Sequence, residues 1–314
     1  MKRLLAVFAG CILFLVVGRS SADEPIAVGA TPTARTACYV AERARQHLKN
    51  WDIDEAVADL QEAISLEPAN ARHHDRLGAV YLSHCDADKA IAAYTAACDI
   101  RRASAERSRE LAAAMSVSPP AGSPQDPAAS IRRSLIRAYL FRADDRAQEG
   151  DGEGARADYN RAIEIDPQDV STRLARAVFL ATQGAFEEAL EDCDAAAELD
   201  KSSSLAWCAR ADVLLTKGEP EKAIEVVNQA VALFPGAADA YLARAAIFQK
   251  LGKLEEALDD LNEAVGLAPA NAMCYYFRSQ IYRELKREEE AADDKKKAET
   301  HESCGSLSRA EPRC

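Results

Sequence analysis

The chain has 314 residues, 39 Lys plus Arg against 51 Asp plus Glu, and a formal net charge of -12. An acidic body repels phosphate backbones and anionic lipid surfaces, which argues against nucleic acid and membrane surfaces as partners. The longest uncharged apolar run, Leu4 to Val17, is short for a bilayer that needs about 20 residues, so no membrane insertion of the mature chain is expected.

In chain order, residues 1–22 read as a signal peptide. Lys2 and Arg3 precede the apolar run, and Ser20 and Ala22 supply the small residues that signal peptidase requires. Cleavage after Ala22 predicts an exported protein, periplasmic or secreted. Residues 23–35, with Pro25, Gly29 and Pro32, read as a flexible lead-in.

From there a period takes over. Alanine pairs seven residues apart occur at Ala56/Ala63, Ala90/Ala97, Ala155/Ala162, Ala189/Ala196, Ala223/Ala230, Ala257/Ala264 and Ala291/Ala298. The step between pairs is 34 residues, except for one step of 65 between the second and third. A fixed period in this range marks a supersecondary unit that buries its apolar face only by stacking on its neighbours. Sixteen places before the first alanine stands a bulky residue (Tyr139, Arg173, Trp207, Tyr241, Tyr275), followed by a small one at Ala143, Ala177, Ala211, Ala245 and Ser279. Gly184, Gly218 and Gly252 fall between the two apolar-periodic stretches of their units, where a helix C-terminus favours a left-handed residue. Each unit therefore predicts a helical hairpin, two of them in residues 36–104 and five in 136–300. Lys295 stands in a large apolar slot of the last unit amid charged runs, as expected of a solvated cap.

The 65-residue step holds an insertion, residues 105–135. No breaker interrupts Asp88 to Met115, and Pro119, Pro120, Pro124 and Pro127 crowd the next stretch. Asp126-Pro127 reads as an N-cap and first-turn proline opening a helix that runs to about Glu149. Two lengthened helices joined by a proline-rich tip are expected, either a tolerated loop insertion or a projecting arm that contacts a partner. Arg101, Arg102, Arg107, Arg109, Arg132, Arg133 and Arg137 make the one basic patch here, read first as a solvated helix face.

Arginine recurs at Arg43, Arg142, Arg176, Arg210, Arg244 and Arg278, and acids at Asp59, Asp158, Asp192, Asp260 and Asp294. These rows suit structural Arg–carboxylate pairs within or between hairpins better than a ligand site. Residues 301–314 read as a tail in which Cys304 and Cys314 are close enough in sequence to form a disulfide in an oxidising compartment. No cysteine or histidine spacing suits a metal, and nothing supplies a nucleophile with its base or a phosphate loop, so neither catalysis nor a cofactor is expected.

The pattern of bulky residue, Leu77-Gly78, Tyr81, Ala90, Tyr94, Ala97 and closing prolines at Pro167, Pro235 and Pro269 resembles the tetratricopeptide repeat, from Thr36 to Thr300. The resemblance implies an all-α, right-handed superhelical solenoid of antiparallel helix pairs, whose first helices line a concave groove. In that groove it places Leu174, Val178, Leu205, Cys208 and Leu242, an apolar streak suited to an apolar or amphipathic peptide. The lysine and asparagine clamp by which some relatives hold a C-terminal carboxylate is missing from the corresponding positions. The functional expectation is a scaffold or adaptor for a protein or peptide. The alternative is an architectural subunit of an envelope or extracellular assembly, held by its convex face or its arm.

Overall fold

The computed structural model describes residues 31–114 and 128–306. Among them are fourteen helices and no strand. They fall into two compact units, described here as residues 31–167 and 168–306.

The first unit holds α1 (Pro32–Lys49), α2 (Ile53–Leu66), α3 (Ala71–Ser83), α4 (Ala87–Ala114), α5 (Ala129–Glu149) and α6 (Gly152–Ile165). The second holds α7 (Val170–Thr182), α8 (Phe186–Leu199), α9 (Ser204–Lys217), α10 (Pro220–Leu233), α11 (Ala238–Lys250), α12 (Leu254–Leu267), α13 (Ala272–Glu284) and α14 (Glu288–Ser306). Each odd-numbered helix packs most closely on the even-numbered one after it. The paired alanines explain why. Those of α2, α4, α6, α8, α10 and α12 are wholly buried, and Ala291 and Ala298 of α14 retain only 4% exposure. A methyl at both positions lets two backbones approach, and larger side chains such as Leu60, Tyr159, Cys193, Val227 and Leu261, each at most 3% exposed, fill the space between.

Local chemistry sets the helix ends. Asn70, Asp151, Asp169 and Asn271 accept hydrogen bonds from backbone N–H groups of the first turns they cap, at 2.9–3.2 Å. Within every hairpin the turn passes through one residue of positive φ: Trp51, Cys85, Gly150, Gly184, Gly218, Gly252 and Lys286. Four are the glycine that a left-handed residue favours. The other three adopt φ of 64°, 59° and 61° despite a Cβ, because the two helices of the hairpin leave the turn no other path.

Three boundaries differ from the sequence reading. Pro32 is no part of a lead-in but begins α1, where its missing N–H costs nothing, and Thr31 caps the helix by accepting from the Ala34 N–H. Helix α5 begins at Ala129 after Ala128, without a side-chain cap; Asp126 and Pro127 lie outside the described residues, as do residues 1–22, where a signal peptide is expected, and the proline-rich tip. The last helix runs on to Ser306, past the expected start of the tail, and the His301 ring stacks on Tyr275 at 5.4 Å. Lengthened helices flank the insertion as expected. The 28 residues of α4 make it about 42 Å long at 1.5 Å per residue, and Gly150 ends α5 after Glu149.

No described helix is long and apolar enough to cross a membrane.

Candidate functional site

The two charged rows prove to be one motif. In five hairpins, Arg43, Arg142, Arg176, Arg244 and Arg278 of the first helix each donate from Nε and Nη2 to the two carboxylate oxygens of Asp59, Asp158, Asp192, Asp260 and Asp294 sixteen residues on, at 2.5–2.9 Å. The five aspartates are buried, so the bidentate bonds compensate their lost hydration. The guanidinium of Arg43 beside Asp59 holds that carboxyl below its ordinary range.

These arginines also reach backwards. Nη1 of Arg244 donates to Asn228 Oδ1 and Nη1 of Arg278 to Asn262 Oδ1, both at 2.9 Å, tying each pair to the one before. The hairpin of α9 and α10 carries Val226, and that of α3 and α4 Ala93, where these five have aspartate. In the former, Arg210 pairs with Asp194, the equivalent of Asn228 and Asn262 one repeat earlier. A carboxylate is kept for this arginine, but by the preceding hairpin, and its Nε is buried without a hydrogen-bond partner. Apart from the Arg210 Nε, the rows spend these donors inside the stack and hold the hairpins together.

The expected groove belongs to residues 168–306. The register puts five candidates at its surface, but the structure leaves only Leu205 there, 37% exposed. Leu174 (1%), Val178 (8%), Cys208 (9%) and Leu242 (7%) are buried, and the next hairpin packs over Cys208 and Leu242. Cys208 joins the core formed by Ala240, Ala243 and Ile247, its thiol 3.6 Å from the Asp239 carbonyl. Leu242 joins that of Cys274, Phe277 and Ile281. These four side chains are the floor of the face and Leu205 belongs to its surface.

Other inward positions become prominent. Tyr276 is 41% exposed. Asp212 is half-buried on α9 and Asp239 exposed on α11. Burial pushes the Asp212 carboxyl above its ordinary value, and only the charge of Lys250 offsets this. The face is thus an apolar floor with an exposed leucine, an exposed tyrosine and two carboxylates.

Cys38, Cys98, Cys193, Cys208 and Cys274 are free thiols, and Cys85 is disulfide-bonded. Burial raises Cys193 and Cys208 to about 12 and Cys274 to about 11, which leaves them protonated and unreactive. The side chains of Cys304 and Cys314, the expected disulfide, lie outside the described residues.

The stacked hairpins, paired alanines and bulky-to-small spacing agree with a family model for the tetratricopeptide repeat, which matches residues 42–106, 140–204, 208–272 and 247–299, more than half of the chain. The chain belongs to the tetratricopeptide repeat family. Among solved structures, a tetratricopeptide repeat protein from Parabacteroides merdae is 20% identical, with a TM-score of 0.55 over 85% of this chain and 93% of its own. A thermophilic member from Thermus thermophilus is 20% identical with a TM-score of 0.42, over 52% of this chain and 89% of its own. MamA from Desulfovibrio magneticus is 20% identical with a TM-score of 0.36, over 54% and 96%. At 20% identity the likeness to the Parabacteroides merdae protein speaks for the fold and not for a shared partner. None of the curated proteins compared matches the chain.

Proposed function

We propose that this chain is an exported, seven-repeat tetratricopeptide scaffold that binds a protein segment along the inward face of residues 168–306 and performs no catalysis itself. The charged start, short apolar run and small residues before Asp23 support export. One observation carries the binding reading: Leu205 and Tyr276 stand exposed on a face whose carboxylates, Asp212 and Asp239, have no hydrogen-bonded or ion-paired partner among the described residues. An amphipathic segment bearing a basic residue would cover the apolar side chains and supply the charge that Asp212 lacks.

The test is a pulldown from the native host with the full chain and a Leu205→Glu/Tyr276→Ala variant. Both side chains are exposed, so helicity should be retained while partner recovery falls more than about tenfold, as expected when two anchors are lost. Equal recovery by the two proteins would remove this face from consideration. The length of α4 and α5 supports a second reading, an architectural subunit held through them. Partner loss on deletion of residues 105–128, with the Leu205/Tyr276 variant unaffected, would establish that reading instead.

A further inference from the structure

The basic patch is not merely a solvated helix face. Helices α4, α5 and α6 border an open cleft of about 470 Å³ lined by Arg101, Arg102, Arg109, Arg132 and Arg161, with Asp99 and Glu106 as the acids among the described lining residues. That volume is within the range of ligand pockets. Five guanidiniums against two carboxylates give the lining a positive balance in a chain whose formal charge is -12. Composition alone does not produce such a reversal.

Three of the five arginines, Arg102, Arg132 and Arg161, already have interaction partners, which leaves Arg101 and Arg109 as the cations to consider. Arg102 contacts Asp99, and Arg161 donates to Glu164 Oε2 at 2.7 Å. Arg101 is half-buried, and its Nε is shut off from solvent with no hydrogen-bond partner. The half-buried Asp75 senses its charge: burial pushes that carboxyl up, and Arg101 and Arg76 pull it down. Arg109 makes no hydrogen bond or ion pair among the described residues. The floor is apolar, with Leu135, Ile165 and Cys98.

The arrangement is also elongated. Arg101, Ala105 and Arg109 are spaced four residues apart on α4, so they share one face and span about 12 Å at 1.5 Å per residue. Arginine forks spread along such a line match a series of carboxylates better than one compact anion. We propose that this cleft is a docking site for an acidic peptide segment of a partner protein, separate from the inward face of residues 168–306. The chain's own proline-rich segment is a poor occupant, because Asp126 is the one acid between Met115 and Pro127.

The test is fluorescence anisotropy of a labelled oligoglutamate peptide with the full chain at low salt, with an oligoglutamine peptide as the uncharged control. Oligoglutamate should bind and oligoglutamine should not, and Arg101→Gln/Arg109→Gln should weaken binding at least tenfold. Arg107→Gln removes a cation of the same helix that does not line the cleft, and should leave affinity within about twofold. If the double variant loses helicity, Arg102→Gln, at an exposed side chain, should still weaken binding severalfold. Equal loss in the Arg107 and Arg101/Arg109 variants would reduce the effect to general charge and overturn the proposal. Binding of inorganic pyrophosphate without binding of oligoglutamate would overturn it too, in favour of a compact-anion site.

Discussion

The Arg–Asp motif makes a quantitative prediction, because the same arginine position occurs in two electrostatic settings. Asp260 is 5% exposed and accepts two hydrogen bonds from Arg244, whose side chain is 21% exposed. Asp260→Ala strands that guanidinium in a half-dry site. Breaking a buried pair by removing one partner costs about 3–5 kcal/mol, and the partial exposure of Arg244 places the expected value near 3. Asp194→Ala breaks the contact of Arg210, but those side chains are 54% and 41% exposed, and such pairs are worth less than about 1 kcal/mol. At roughly 2–4 °C per kcal/mol for a chain of this size, melting followed by circular dichroism should fall by about 6–12 °C for Asp260→Ala and by less than about 4 °C for Asp194→Ala. Replacing both partners, Arg244→Met with Asp260→Leu, should recover most of the loss, since an apolar pair of similar volume leaves no charge stranded. Equal shifts for the two alanine variants, or a double variant no better than Asp260→Ala, would refute the view that burial decides the strength of these pairs.

The turn residues make a second prediction: Trp51→Gly and Lys286→Gly should each raise stability by about 1 kcal/mol in chemical denaturation, because both hold a positive φ that glycine adopts without strain. Gly78→Ala should do the reverse by about 1–3 kcal/mol, since a Cβ there would meet the Tyr94 ring at 2.9 Å. The Asp212 carboxyl, raised by burial, contributes stability below the ordinary aspartate value near 3.9 that is lost as pH rises through its higher folded value. Asp212→Asn should therefore melt above the wild type at pH 7, with the gap closing towards pH 4, and a gap independent of pH would refute this. In the native protein iodoacetamide should label Cys38, which is exposed, and spare Cys193, Cys208 and Cys274 until unfolding; mass spectrometry of the peptides reads this directly.

Periodicity carried the fold, and the physical reason is that each hairpin needs small residues where its helices touch. Ala56 through Ala298 announce those contacts in the sequence, and Gly184, Gly218 and Gly252 announce the turns. The turn residues Trp51, Cys85 and Lys286 were not legible, since nothing in their chemistry asks for a left-handed backbone and only the closing of the hairpin imposes it. The charged rows were visible as rows, but the exception at Val226 was resolved only by the neighbouring hairpin, which brings Asp194 to Arg210. Register could also assign Leu174, Leu205 and Leu242 of three successive first helices to the same inward position set without separating floor from surface. Burial depends on how far the next hairpin covers each position, and that is a property of packing between units that no single repeat encodes. The cleft of arginines shows the same limit most plainly. Sequence displayed the cations as a run on solvated helices, whereas the tertiary structure set three of those helices around a common space and shut the Nε of Arg101 away from water.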